Sequence, residues 1–183
     1  DDGLFFSNEK RDEIMSWGVL EDDDKKFLEY LEYKINLIPE MREGSTHVRD
    51  TIVHSDFHRN NIIFDPQTKN IIGVCDWERS HYGSRLSDLA HSIFSFFSKC
   101  NIYEIATENA KAMLRGYMKE YPITREELQA GLDAHACMIT FVPWMEEQYY
   151  IKNNKKAVDL IEHEKELVKL CLEGKILNDL YRI

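Results

Sequence analysis

The spacing of apolar residues along the chain changes twice, and each change predicts a change of secondary structure. In "DDDKKFLEYLEYKINLI", Phe27, Leu28, Leu31, Ile35 and Ile38 fall on one face of a helix, which Pro39 is placed to end or bend. Ahead of it, Ser7 can cap a short helix running to about Trp17, with Gly18 as its stop. The middle of the chain loses this period. "TIVH", "NIIFD" and "NIIGVCD" are short β-branched runs, and "DPQTKN" between the last two has the composition of a hairpin turn. Three short strands around a loop are expected there.

From Leu86 the helical period returns, through "LSDLAHSIFSFF" and then "IYEIATENAKAMLRGYMKEY". A third helix is opened by the capping box "TREE" at Thr124 to Glu127, and Pro143 should break it so that "WMEEQYY" starts a new direction. A last helix, "KAVDLIEHEKELVKLCLE", precedes Gly174. With no repeat or low-complexity tract, the pattern predicts one mostly helical α+β unit with a small β insert.

Composition narrows the setting. At 183 residues and 43% hydrophobic, the chain can bury a core of its own, as one domain or one lobe of a larger fold. No apolar run approaches the roughly eighteen residues that cross a bilayer, and "DDGLFFSNEK" lacks the order of a signal peptide, so a cytoplasmic location without membrane contact is expected. Cys75, Cys100, Cys137 and Cys171 lie far apart, which suggests neither a disulfide framework nor a cysteine zinc site. A net charge of −10 argues against a nucleic-acid partner and suits solubility or a cationic small molecule.

The candidate chemistry lies between Thr51 and Ser80. Phosphoryl-transfer loops need an aspartate to accept the substrate hydroxyl's proton, an asparagine five residues later for Mg²⁺, and a second metal-binding carboxylate on a following strand. His54-Ser55-Asp56, Asn61 and Asp76 come in that order and spacing. Other readings of the same residues stand beside it. His54, Asp56 and His58 alternate, and on an extended segment they could chelate zinc or iron as in a metal-dependent hydrolase. Asp76 alone is a strand-end carboxylate, and Asp88 alone a helix N-cap.

The run "VHSDFHRNNIIFD" followed by "IIGVCDWERSHYGSRLSDLA" resembles the catalytic core of the aminoglycoside phosphotransferase and choline kinase superfamily, with its H-G-D-x-H-x-x-N-I, I-D-W/F-E and G-D-P-x-x-D-L-A motifs. The resemblance spans about forty residues and implies the C-terminal lobe of a protein-kinase-like fold, with a small β hairpin carrying the catalytic loop. It implies Asp56 as catalytic base, Asn61 and Asp76 as Mg²⁺ ligands, ATP as co-substrate, His54 and Asp88 as supports of the loop, and His58 beside the acceptor. Ser55 stands where the family has glycine, and Ser84-Arg85 where it has Asp-Pro. "YGSR" is similar to the Y-N-Y-R of choline and ethanolamine kinases, although Arg79 occupies the place of their cage tyrosine, so amino sugars and amino alcohols both remain as acceptors.

Further along, Trp144, Glu146, Glu147 and Tyr149 could form an aromatic and acidic wall for a cationic acceptor, or a core stripe with a solvated glutamate pair. Three regions are expected: entry helices over 1–50, the catalytic loop and metal-binding hairpin over 51–90, and a helical acceptor-binding part over 91–183. No G-x-G-x-x-G or G-x-x-x-x-G-K spacing is present, so the N-terminal nucleotide lobe is expected to be missing from these residues. The chain then reads as part of a small-molecule phosphotransferase or as a non-catalytic remnant of one. Apolar area near Phe5, Phe6 and Trp17 would favour self-association.

Overall fold

Capping, charge and apolar spacing organise the chain into two compact units in the computed structural model, which describes residues 2–44, 49–97 and 107–181. The side chains of residues 2–6, 39–44, 97 and 107 lie outside the described residues. The fold is mostly helical with small sheets. Among the described residues, no helix is long and apolar enough to cross a membrane.

The first unit joins Asp1–Ser45 with Ala136–Leu170. Its helices α1 (Asp2–Met15) and α2 (Asp22–Gly44) pack together. Three aspartates in the first turn of α2 meet the positive end of the helix dipole, and Asp24 accepts from the Glu21 N–H at 3.0 Å. Phe27, Leu31 and Ile38 are fully buried, as the helical period predicts. One expectation fails here, and of the two effects open to Pro39 a helix end does not occur. Helix α1 starts at Asp2, so Ser7 lies inside it rather than capping it, and α2 continues through Pro39 to Gly44.

Pro143 does break the chain. Helix α5 (Arg125–Phe141) stops before it, a short α6 (Trp144–Glu146) starts after it, and a π turn follows over Glu147–Ile151. The expected last helix begins later than read, with a 3₁₀ stretch at Lys155–Leu160 before α7 (Ile161–Leu172). Around Phe27 and Tyr30 the core of this unit gathers Met145, Tyr149, Ala157, Val158 and Ile161. It also buries an ion pair, Lys34 to Glu146 at 3.0 Å, both 1% exposed. Beside that pair the Tyr30 hydroxyl donates to Glu164, whose carboxyl is pushed up to about 7 by burial, against the Tyr30 bond and the Lys34 charge.

The second unit comprises Thr46–His135 and Cys171–Ile183 and holds the four strands found among the described residues. β1 (Thr51–Val53) pairs antiparallel with β4 (His81–Gly83), Ile52 opposite Tyr82. β4 was not expected, since it is a strand only through its pairing with β1. A side chain at Gly83 would bring a Cβ 2.8 Å from Val53 Cγ2, so the close approach of these strands requires glycine there. β2 (Ile62–Phe64) and β3 (Ile71–Val74) form the expected hairpin, its turn held by the Asp65 carboxylate accepting from Gln67 and Thr68 N–H.

Helices α3 (Arg85–Phe97), α4 (Thr107–Glu120) and α8 (Lys175–Leu180) complete this unit, α3 packing on β1 and α4, and α8 on α4. The expected start of α4 at Ile102 falls outside the described residues. Thr124 and Glu127 form the predicted capping box, each side chain accepting from the other's backbone N–H, at 3.2 and 2.7 Å. Among the described residues, Cys75, Cys137 and Cys171 form no disulfide. Cys171 is pushed up to about 12 by burial and by nearby Asp133.

Candidate active site

β1 delivers the chain into a loop that a single carboxylate holds. Asp88, in the first turn of α3, accepts from the backbone N–H of His54 at 3.0 Å and of Ser55 at 2.8 Å, one to each oxygen. Ser55 stands at φ +66°, in the left-handed region where glycine is at ease. This backbone turn accounts for the glycine at the matching place in the superfamily motif. It also ends the extended geometry on which alternation of His54, Asp56 and His58 depends.

The His54 ring is 4% exposed and has a backbone partner at each nitrogen. Nε2 faces the Cys75 carbonyl at 2.9 Å, and Nδ1 accepts from the Asp56 N–H at 3.3 Å, which fixes the proton on Nε2. With both nitrogens engaged, His54 does not converge with Asp56 and His58 on a metal. Among the described residues, no group of three or more His, Cys, Asp or Glu side chains is placed to hold one. The Trp77 and Phe57 rings flank the imidazole at 4.6 and 5.7 Å.

Asp56 Oδ1 lies 3.6 Å from His58 Nε2 and 3.9 Å from His91 Nε2. His58 also caps the 3₁₀ turn Arg59–Asn61, its Nδ1 accepting from Asn60 N–H, so its Nε2 carries the proton toward Asp56. His91 was missed by the sequence reading. It lies on α3 three residues after Asp88, close to one helical turn, a spacing that could have marked it. Burial pushes the His91 imidazole below its ordinary pKa, against the pull of Asp56 and Asp88. A neutral ring therefore stands on one side of the Asp56 carboxylate.

Asn61 is 5% exposed. Its Nδ2 donates to the Asp56 carbonyl at 2.8 Å and its own carbonyl accepts from Cys75 N–H at 3.0 Å. The side-chain oxygen is left as the atom able to meet a cation. Cys75 thus bonds to both ends of the loop, its carbonyl accepting from His54 and its N–H donating to the Asn61 carbonyl, and the next residue is Asp76. Asp76 sits at φ +65°, at the N-cap position of the turn Trp77–Arg79, yet its carboxylate makes no capping bond. A strained backbone holding an exposed carboxylate outside local structure is a feature of ligand-binding positions. One carboxylate and one amide oxygen suit Mg²⁺, which takes few protein ligands and completes its shell with phosphate and water.

The aromatic and acidic stretch is placed in the first unit, and two of its members are core residues. Glu146 is paired with Lys34, and Tyr149 is 2% exposed, packed on Phe27 at 4.7 Å, with the Lys155 ammonium 3.8 Å over its ring. Trp144 is exposed and Glu147 half-buried.

A family model described as phosphotransferase enzyme family matches residues 5–125, well over half of the chain. The chain belongs to that family. Phosphotransferase membership agrees with the motif order in the second unit, where Asp56, Asn61, Asp76 and Asp88 all lie within the matched span. Among curated proteins, the rat and human proteins named acyl-CoA dehydrogenase family member 11 are 47% and 45% identical over 51 residues, 27% of this chain and 6% of each relative. An Arabidopsis thaliana protein named probable acyl-CoA dehydrogenase IBR3 is 34% identical over 71 residues, 39% of this chain and 8% of the relative. The chain thus spans under a tenth of the length of these relatives. No solved structure matches this phosphotransferase chain.

Proposed function

We propose that the chain is the C-terminal lobe of a protein-kinase-like phosphotransferase that moves the γ-phosphate of ATP to a hydroxyl of a small molecule. The observation that carries the reading is the double tie at Cys75, which couples the loop of Asp56 and Asn61 to the strand end of Asp76. In this reading Asp56 accepts the acceptor's hydroxyl proton, and the Nε2–H of His58 orients the acceptor oxygen. His54 and Asp88 hold the backbone that aims Asp56. Asn61 through its amide oxygen and Asp76 through its carboxylate would hold Mg²⁺. Held there, the ion would offset the negative charge of the transferred group.

The acceptor is an amino sugar, an amino alcohol or a related metabolite. The matched relatives are named acyl-CoA dehydrogenases, which adds acyl-CoA compounds to those worth testing. Ile63, Phe64, Ile71 and Ile72 of the β2–β3 hairpin are about half to two-thirds exposed, at 48, 50, 58 and 64%, and leave apolar area open to a nucleotide lobe or to self-association. Of the residues expected to favour self-association, Trp17 is 36% exposed and stacks edge-on with Tyr150; the Phe5 and Phe6 side chains lie outside the described residues.

The test is phosphorylation of an acceptor library with Mg-ATP, run on this chain and on any longer polypeptide that contains it, wild type and Asp56→Asn. Turnover should fall by about a hundredfold or more in the variant with nucleotide binding retained. Nucleotide binding with no acceptor phosphorylated by either polypeptide would favour a non-catalytic binding module.

A further inference from the structure

Asp56 is approached by two imidazoles, and the one on α3 takes no part in the proposed transfer. His91 Nε2 lies 3.9 Å from Asp56 Oδ1, the same oxygen that His58 Nε2 approaches at 3.6 Å. Helix α3 therefore meets the loop twice. Asp88 holds the backbone of His54 and Ser55, and His91, three residues on, faces the carboxylate that this backbone carries.

The direction of the His91 N–H follows from its hydrogen-bond partners. Nδ1 is buried and, among the described residues, has no partner, whereas Nε2 lies 3.2 Å from Ser95 Oγ. A proton on Nδ1 would be an orphaned buried donor, which folded proteins rarely tolerate, while a bare acceptor is found more often. The proton therefore sits on Nε2. That N–H has two acceptors on its side of the ring, Ser95 Oγ and Asp56 Oδ1.

Aromatic packing fixes this ring from behind. His135 meets it at 5.6 Å and 60°, and is itself stacked on Phe94 at 4.6 Å, 11° from parallel. Burial pushes the His135 imidazole down to about 3, with His91 adding to the effect, so His135 stays neutral. With neither of its nitrogens partnered among the described residues, it serves as a flat packing surface. His91 is thus held as a neutral donor. A neutral N–H orients a carboxylate without the full charge that would weaken its hold on a proton.

We propose that His91 is a positioning residue for Asp56: on acceptor binding its Nε2–H passes from Ser95 Oγ to Asp56 Oδ1 and leaves Oδ2 to take the hydroxyl proton. The inference rests on the reading of Asp56 as catalytic base. At 3.9 Å the contact is too long for a hydrogen bond, and catalytic hydrogen bonds that are long in a free enzyme commonly tighten in its complex.

The experiment has two arms. In the first, the ¹⁵N-histidine-labelled chain is read through the two-bond couplings of its imidazoles, with no turnover required. His91 should be the neutral Nε2–H tautomer, and Asp56→Asn should move its Nε2 signal while Asp76→Ala leaves it in place. The Nδ1–H tautomer, or a signal that ignores Asp56→Asn, would overturn the proposal.

In the second arm, the polypeptide and acceptor active in the phosphorylation screen are compared as wild type, His91→Phe and His91→Gln. His91→Phe should lower kcat by about tenfold to a hundredfold, the value of one hydrogen bond to a charged group, with the acceptor KM and nucleotide binding unchanged. His91→Gln, whose side-chain amide is a donor of similar reach, should restore most of kcat. Full kcat in His91→Phe, or equal loss in both variants, would overturn the proposal. Asp56→Asn separates the two readings. Turnover retained in Asp56→Asn removes the base itself, whereas turnover lost in Asp56→Asn and retained in His91→Phe removes only the role of His91. Where no acceptor is phosphorylated, the imidazole arm decides.

Discussion

The His54 imidazole faces the Cys75 carbonyl at 2.9 Å through Nε2 while its Nδ1 receives the Asp56 N–H, so one neutral ring ties the backbone of Asp56 to that of Cys75, the residue before Asp76. A side chain that bonds only to backbone positions geometry without adding charge. Asp56 and Asp76 are thus held in mutual register by a group whose protonation would break one of its two bonds.

Asp88 presents two acceptor oxygens to two consecutive N–H groups, and an amide in its place presents one. Asp88→Asn should therefore leave the His54 or Ser55 N–H unpaired, at a cost of about 1–3 kcal/mol. Denaturant unfolding measures the loss, and amide exchange at residues 54 and 55 should accelerate with it. A variant with wild-type stability and exchange would mean that the loop is held by other contacts.

Ser55 holds φ +66°, a conformation that disfavours any residue with a Cβ. Ser55→Gly should stabilise the protein by about 0.5–1 kcal/mol, the relief of strain exceeding the added freedom of the unfolded chain. A shift of the urea midpoint upward at constant slope is the expected result. A downward shift would show that the Ser55 hydroxyl, 3.2 Å from His81 Nδ1, contributes more than the strain costs.

If Asp76 holds Mg²⁺, Asp76→Ala should raise the magnesium concentration for half-maximal turnover by at least about tenfold, since loss of a direct ligand costs no less than loss of its supporting shell. Magnesium titration of the active polypeptide checks this. Identical titration curves for wild type and variant would remove Asp76 from the metal site.

Glu164 supplies a pH signature in the first unit. Its folded-state pKa is raised from 4.5 to about 7, so between those values the folded protein binds more protons than the unfolded chain. Stability then falls as pH rises through that window, with a slope of at most about 1.4 kcal/mol per pH unit. Unfolding free energies measured at intervals across the window should show the decline, and Glu164→Gln should flatten it. An equal slope in the variant would assign the dependence to another group.

What the sequence discloses is what local rules determine. The start of α5 is legible because the Thr124–Glu127 box is complete within four residues, and the β2–β3 turn because Asp65 caps it locally. Asp56, Asn61, Asp76 and Asp88 are legible through their joint spacing. β4 is not, since three residues become a strand only beside β1. The burial of Glu146 is equally hidden, because its partner Lys34 lies 112 positions away. His91 needs the loop and α3 brought together before its nearness to Asp56 has meaning. Pro39 does not end α2, which runs on to Gly44, so the local preference for a helix end at proline is not followed there.

Asp88 meets His54 across 34 positions of chain. Closing a loop of that length costs entropy before its hydrogen bonds contribute, so the contact depends on β1 and the beginning of α3 having already met. The segment around Asp56 consequently takes its shape late in folding, and it is among the first to lose that shape when α3 loosens. During synthesis, a polypeptide halted just before Asp88 can already close the β2–β3 hairpin, but it has no carboxylate to hold Ser55 in its left-handed turn.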